Sequence, residues 1–279
     1  MPILLGLLLG TPACLLALPL DDYAGGEADA AVGDVADADA ASDMLAGDAS
    51  SEAAPVEAAT CPPGKFPHQT SCITRPVVYW TLDEGSGQTV GDSTGNGVTG
   101  TINGAQWVPG HVGAGALSFN GKTASVLFGR PDRLSFANGS FAYAMLVFQD
   151  SPIGMYDIAW WNGGSSTSYA GYDLELGSSG WGAGLSDGTK NVVAGFGPPV
   201  SGKWTRLVVV VDREKGELRT YLNGVPAESR NIAGFGSLAA VGPATLGVGV
   251  DTDFFQGMID DVLFFDRVPT AEDLTALNP

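Results

Sequence analysis

The chain has 279 residues, enough for one large domain or two small ones, and a formal net charge of −18. Forty glycines, 9% aromatic residues and many short apolar runs between turns argue against a helical bundle and for an all-β sandwich. A surface of this sign repels phosphate backbones and anionic lipid, so no nucleic-acid partner is expected, and membrane contact is expected only through a lipid anchor.

The N-terminal stretch Met1–Leu20 is apolar, is interrupted by Pro12, and ends at Asp21 and Asp22. Its shortness and the polar tail behind it read as an export signal rather than a membrane span. No Lys or Arg precedes the apolar run, as an upstream start codon would explain. Thr11-Pro12-Ala13-Cys14 places a small residue before a cysteine, which makes Cys14 the candidate for lipidation; the alternative is an ordinary cleaved signal that discards it. Residues 21 to 60 then hold eleven acidic side chains and no basic one, mostly among Ala, Gly and Ser. Ordering such a backbone costs roughly 1–2 kcal/mol per residue, and too few large apolar groups are present to offset it, so this is a disordered acidic linker.

Cys61 and Cys72 flank the segment PPGKFPHQTS. In an exported protein this spacing predicts a disulfide closing a small loop, residues 61–74, at the edge of the main domain. A zinc site here would need His68 and a fourth ligand that the sequence does not supply.

The main domain is expected from Arg75 to Pro279. Val77–Leu82 is a strand, and Asp83-Glu84-Gly85-Ser86-Gly87 a turn. Further strands are predicted at 115–119, 124–128, 141–148, 158–161, 171–176, 182–186, 204–211, 217–222, 244–248 and 257–265. The run Leu207–Val211 is apolar at every position, which predicts a strand covered on both faces. Asn223-Gly224 supplies the positive φ angles of a hairpin turn. Only at the C-terminus does a helix start appear, with Thr270 as cap and Asp273 three residues on.

The motifs WTLDEGSG, DSTGNG, GALSFNG, LVVVVD, LRTYLNG and GMIDDVLFFDR stand in the order seen in laminin-G-like jelly-roll domains, and residues 75–279 are identified as resembling the concanavalin A-like lectin/glucanase superfamily. The resemblance implies a two-sheet antiparallel jelly roll, a bound calcium ion, and carbohydrate or protein recognition. Carried over by motif, the calcium ligands would be Asp92, Asn96, Gly97 and Asp260, since hard cations take carboxylate and carbonyl oxygens. If Val262 and Phe264 point into the core, strand alternation directs Asp260 inward with them. The alternative is that Asp92 closes its turn by accepting backbone hydrogen bonds, with no ion required.

Relatives on this fold include glycanases, which need a close pair of carboxylates. The nearest candidates, Asp173 and Glu175, lack the family's third carboxylate and read instead as a solvent-facing row on an amphipathic strand. No nucleophile elbow, phosphate loop or dinucleotide motif is present in the sequence. The chain is therefore expected not to be an enzyme. A sugar site needs aromatic faces and a few polar groups, and Trp161, Asn162 and Tyr169 are the candidates, Trp161 and Tyr169 as exposed rings. The expectation is a monomer at a bacterial cell surface, at the outer membrane or released, binding a glycan or a surface protein.

Overall fold

The computed structural model describes residues 60–149, 157–163, 169–240, 242–249 and 253–278. The export signal, Cys14 and almost all of the acidic linker lie outside them.

The first two strands, β1 (Lys65–His68) and β2 (Ser71–Thr74), pair only with each other, and the Cys61–Cys72 disulfide closes their hairpin. Then come β3 (Val78–Trp80), β4 (Thr89–Val90), β5 (Gly100–Asn103), β6 (Gln106–Pro109), β7 (Gly115–Asn120), β8 (Ser125–Gly129) and β9 (Phe141–Gln149). The second half holds β10 (Asp157–Asn162), β11 (Gly171–Gly177), β12 (Gly180–Ser186), β13 (Asn191–Gly195), β14 (Trp204–Asp212) and β15 (Glu217–Leu222). It ends with β16 (Val225–Asn231), β17 (Ala244–Leu246), β18 (Gln256–Phe265) and the helix α1 (Ala271–Ala276).

Two antiparallel sheets result. One runs β13-β12-β11-β10-β17-β8-β5-β4; the other runs β16-β15-β14-β9-β18-β7-β6, with β3 added against β18. The first and last motif segments pair with each other, Trp80 opposite Val262 and Tyr79 opposite Leu263. Period-two alternation sends Tyr172, Leu174 and Leu176 of β11 between the sheets. There Trp80 stacks on Phe128 at 3.8 Å and Trp160 meets Phe264 at 4.8 Å.

The apolar run Leu207–Val211 of β14 is covered on both faces. Leu207, Val209 and Val211 join the core between the sheets, while Val208 and Val210 belong to a second cluster on the back of the sheet. Phe66 and Ile73 of the disulfide hairpin and Leu277 behind α1 complete that cluster. The hairpin is thus not a loop at the domain's edge but the cover of one sheet. Asp273 ties the pieces together: it forms the capping box with Thr270, and its carboxylate accepts from Thr74 N at 2.7 Å and Thr74 Oγ1 at 2.8 Å.

β18 breaks its own alternation. Asp261 has φ +50°, and the pairing with β9 shifts between Asp260 and Leu263. This bulge puts Ile259, Val262 and Phe264 in the core together, so Asp260 does not share a face with Val262 and Phe264 as strict alternation requires. Both aspartates are nevertheless fully buried.

Candidate functional site

The glycine-rich turn after β4 closes on itself. Asp92 Oδ1 accepts from Tyr79 N, Thr94 N and Thr94 Oγ1, at 3.2, 3.0 and 2.6 Å, and its Oδ2 from Val98 N at 3.2 Å. Asn96 gives its side-chain amide to Val77 O at 2.9 Å, and Gly97 supplies a positive φ. These bonds lay the turn along β3. Asp260 is engaged elsewhere: its Oδ2 accepts from His111 N at 2.8 Å and Val112 N at 2.9 Å, in the loop joining β6 to β7. Burial, with the charges of Asp261 and Asp83 adding to it and the two N–H donors opposing, pushes its carboxyl up to about 7. Its Oδ1 is buried without a hydrogen-bond partner.

Four donors aimed at Asp92 present positive dipole ends where a cation would have to sit. No group of three or more His, Cys, Asp or Glu among the described residues is arranged to hold a metal ion. As placed, Asp92, Asn96, Gly97 and Asp260 do not fit a calcium cage, both oxygens of Asp92 and Oδ2 of Asp260 being turned to N–H and O–H donors of the chain.

The neighbouring aspartate anchors a network that motif reading passed over. Asp261 Oδ2 pairs with Arg206 Nη2 and accepts from His68 Nε2 at 2.9 Å, while its Oδ1 accepts from Tyr79 Oη at 2.6 Å. Arg206 Nη1 also donates to the Asp261 carbonyl at 2.9 Å. All four side chains are buried. Burial works to raise the Asp261 carboxyl, yet the Arg206 charge and the His68 and Tyr79 bonds hold it well below the carboxylate range. His68 spans the gap, with Nδ1 3.2 Å from Ala276 O, so the network joins the hairpin to the bulge and the C-terminus. Its sequence signal was a single arginine, WTRLVVVV, entering an apolar run.

The predicted ligand residues divide. Trp161 is only 8% exposed, because β10 is an interior strand and the ring sits in a row between Thr245 and Asp173. The expectation of an exposed Trp161 is therefore corrected. Asn162 is buried too and spends its amide on Leu134 O at 2.9 Å, which Tyr172 Oη also reaches. Tyr169, 41% exposed and edge-on to Trp161 at 6.2 Å, is the one of the three that presents surface. Asp173 and Glu175 are buried as well, so they are not a solvent-facing row; Asp173 Oδ1 accepts from Gly184 N at 3.0 Å.

A cleft that the sequence did not announce opens where the two sheets meet at one side of the sandwich, with a volume of about 950 Å³. The β11–β12 turn, residues 177–180, forms one wall and the β15–β16 hairpin the other. Deeper in, the edge strands are stitched shut. Glu228 of β16 accepts from Gly195 N of β13, and Thr220 Oγ1 donates to Gly195 O at 2.6 Å. Arg230 Nη2 is 2.6 Å from Glu228 Oε1. Val225, 65% exposed, stands at the lip, and Glu175, Trp181, Phe196 and Asn223 contribute further lining. Hydrogen-bonding carboxylates beside apolar side chains in a concave surface can orient a small polar ligand.

A family profile described as the concanavalin A-like lectin/glucanases superfamily matches residues 120–275. Among solved structures, the binding domain of Paraclostridial Mosquitocidal Protein 1 superposes with a TM-score of 0.60 at 15% identity, over 72% of this chain and 51% of that one. The botulinum neurotoxin serotype G binding domain gives 0.59 at 15% identity, over 73% and 50%. Domain 4 of AbnA, a GH43 extracellular arabinanase from Geobacillus stearothermophilus in complex with arabinotriose, gives 0.56 at 20% identity, over 74% of this chain and 98% of that domain. The chain thus spans about half the length of the toxin binding domains it matches. At these identities the likeness is one of fold. Comparison with curated protein sequences gave no match.

Proposed function

The chain belongs to the concanavalin A-like lectin/glucanases superfamily, and from that premise we propose that it is a non-catalytic binding module that works outside the cell and recognises carbohydrate. The observation that carries this reading is the cleft of about 950 Å³, in which carboxylate and amide side chains stand beside exposed aliphatic groups. Pockets of this size and mixture hold small polar ligands by a few directed hydrogen bonds over an apolar contact area. The arabinanase domain that matches over nearly its whole length is described in complex with a sugar, which supports the ligand class.

Export is supported by the apolar start Met1–Leu20 and by the disulfide, which persists in oxidising compartments. Display on an acidic spacer, with or without lipid at Cys14, follows from the same stretch of sequence. The test is a glycan-array screen of the full chain in calcium and in EDTA. Specific glycan binding is the expected result, and the same signal in EDTA would set calcium aside. A folded chain that binds no glycan in either buffer refutes the reading and favours a module that contacts only protein.

A further inference from the structure

We propose that the disulfide hairpin β1–β2 is a pH-sensitive latch: His68 fastens it to the back of the sheet as an imidazolium, and release of that proton to solvent lets the hairpin lift while the sandwich stays folded. The latch holds whatever ligand the module binds. Its protonation state follows from its hydrogen-bond partners. His68 Nε2 lies 2.9 Å from Asp261 Oδ2, and Nδ1 lies 3.2 Å from Ala276 O. A backbone carbonyl only accepts hydrogen bonds. So does the Asp261 carboxylate, which burial works to neutralise but Arg206 and the His68 and Tyr79 bonds keep ionised. Neutral imidazole has one N–H and serves one of these two acceptors, turning the lone pair of its other nitrogen on an oxygen. His68 is buried, so bulk solvent does not supply the missing donor. The doubly protonated ring satisfies both.

The surrounding charges decide which contact yields. From β14, Arg206 Nη2 pairs with the same Asp261 oxygen; from β3, Tyr79 Oη donates to the other; and Asp260 precedes Asp261 on β18. On the helix side stand Glu272 and Asp273, with Lys65 Nζ of the hairpin 3.6 Å from Asp273 Oδ1. A guanidinium keeps its proton, and its charge opposes a second cation beside it, so His68 is the member of the network that deprotonates. The hairpin is also built to move as one body. Among the described residues β1 and β2 pair only with each other, the Cys61–Cys72 bond closes them, and neither enters the core between the sheets. Phe66 and Ile73 instead cover Val208, Val210, Leu263 and Phe265 on the back of the sheet. Lifting the hairpin exposes that apolar face and leaves the main core whole. Because the docked hairpin binds a proton that the lifted one releases, docking weakens as pH rises through the His68 titration.

The test follows the full chain from about pH 5 to about pH 9, a range that brackets the titration of an imidazole. The Asp260 carboxyl, pushed up to about 7 by burial, titrates in the same window, so every protein compared carries Asp260→Asn. His111 is the only other histidine, and His111→Gln leaves His68 as the sole imidazole for nitrogen NMR. The expected spectrum at low pH is that of a ring protonated on both nitrogens. Its titration should coincide with a loss of hydrogen-exchange protection, roughly tenfold or more, in residues 65–74. Residues 171–186 of the opposite sheet should keep their protection over the same range, and in His68→Gln the hairpin's protection should no longer depend on pH. A ring with one N–H throughout, or a hairpin equally protected at both ends of the range, overturns the latch. So does a loss of protection shared by both sheets, which is global unfolding, or an unchanged pH profile in His68→Gln, which assigns the titration to another group. The nitrogen spectrum decides the protonation state even if His68→Gln does not fold.

Discussion

Replacing Arg206 with methionine tests whether the buried network holds the back of the domain together. Arg206→Met preserves most of the side-chain volume but leaves the Asp261 carboxylate with only His68 and Tyr79 as side-chain donors, in a site buried from solvent. Breaking a buried pair by removing one partner costs about 3–5 kcal/mol, because the remaining charge stays desolvated. Against a total stability of roughly 5–15 kcal/mol for a domain, that is a large share. Urea unfolding at pH 7 reads it directly. The double variant Arg206→Met/Asp261→Asn removes both charges, and its cost should fall well below the sum of the two single costs, a coupling of more than about 1 kcal/mol. The pH dependence has a fixed sign. Asp261 titrates lower in the folded than in the unfolded chain, so the stability it contributes is present above the ordinary carboxylate range and is lost as pH falls through its folded value. Without Arg206 that acid loss should begin at higher pH. A single variant costing under about 1 kcal/mol, or strictly additive costs, would refute the reasoning.

Asp260→Asn should act with the opposite sign. A carboxyl raised from 3.8 to about 7 makes ionisation unfavourable in the folded chain by up to about 4 kcal/mol, so the wild type loses stability as pH rises from about 4 to about 7 while the amide does not. Parallel pH profiles of the two proteins in urea unfolding would count against this. Chelation with EDTA should leave the melting temperature unchanged and elemental analysis should find no calcium, because Asp92 is already held by four donors; a drop of several degrees would reinstate the ion. Replacing Cys61 and Cys72 with alanine should destabilise the domain by about 2–3 kcal/mol, as expected for a short closed loop, and equal denaturation midpoints would show the hairpin to be dispensable.

What the sequence made legible was whatever local periodicity controls. The alternating strand at Tyr172–Leu176, the hairpin turn Asn223-Gly224 and the Thr270 cap could each be read from a few neighbouring residues, because the physical cause lies within those residues. The uninterrupted apolar run of β14 declared that something must cover its second face, but not what. The cover is Phe66 and Ile73, more than 130 positions upstream, and no local pattern links them to Val208 and Val210. The bulge at Asp261 was hidden for a different reason. A non-glycine residue at φ +50° is uncommon, and Asp261 is fixed there by Arg206, His68 and Tyr79, three contacts from three other segments. Once that residue left the β region, every inference from alternation about Asp260 failed with it.

The cleft failed to register for a reason that also says where such sites arise. Its floor is a row whose middle and far positions are glycines, and in sequence Gly182 and Gly195 look like two more turn residues among forty. Only the pairing of β11, β12 and β13 brings them beside Glu175, and only the meeting of one sheet's edge with the other's brings Glu228 across. Trp161 misled in the converse way: an aromatic in a polar loop context looks available, but its strand has neighbours on both sides and its row is filled. An edge strand has a free flank, whereas an interior strand has only a face. In this sandwich that distinction points to the side where the edge strands β13 and β16 meet, which is where the cleft lies.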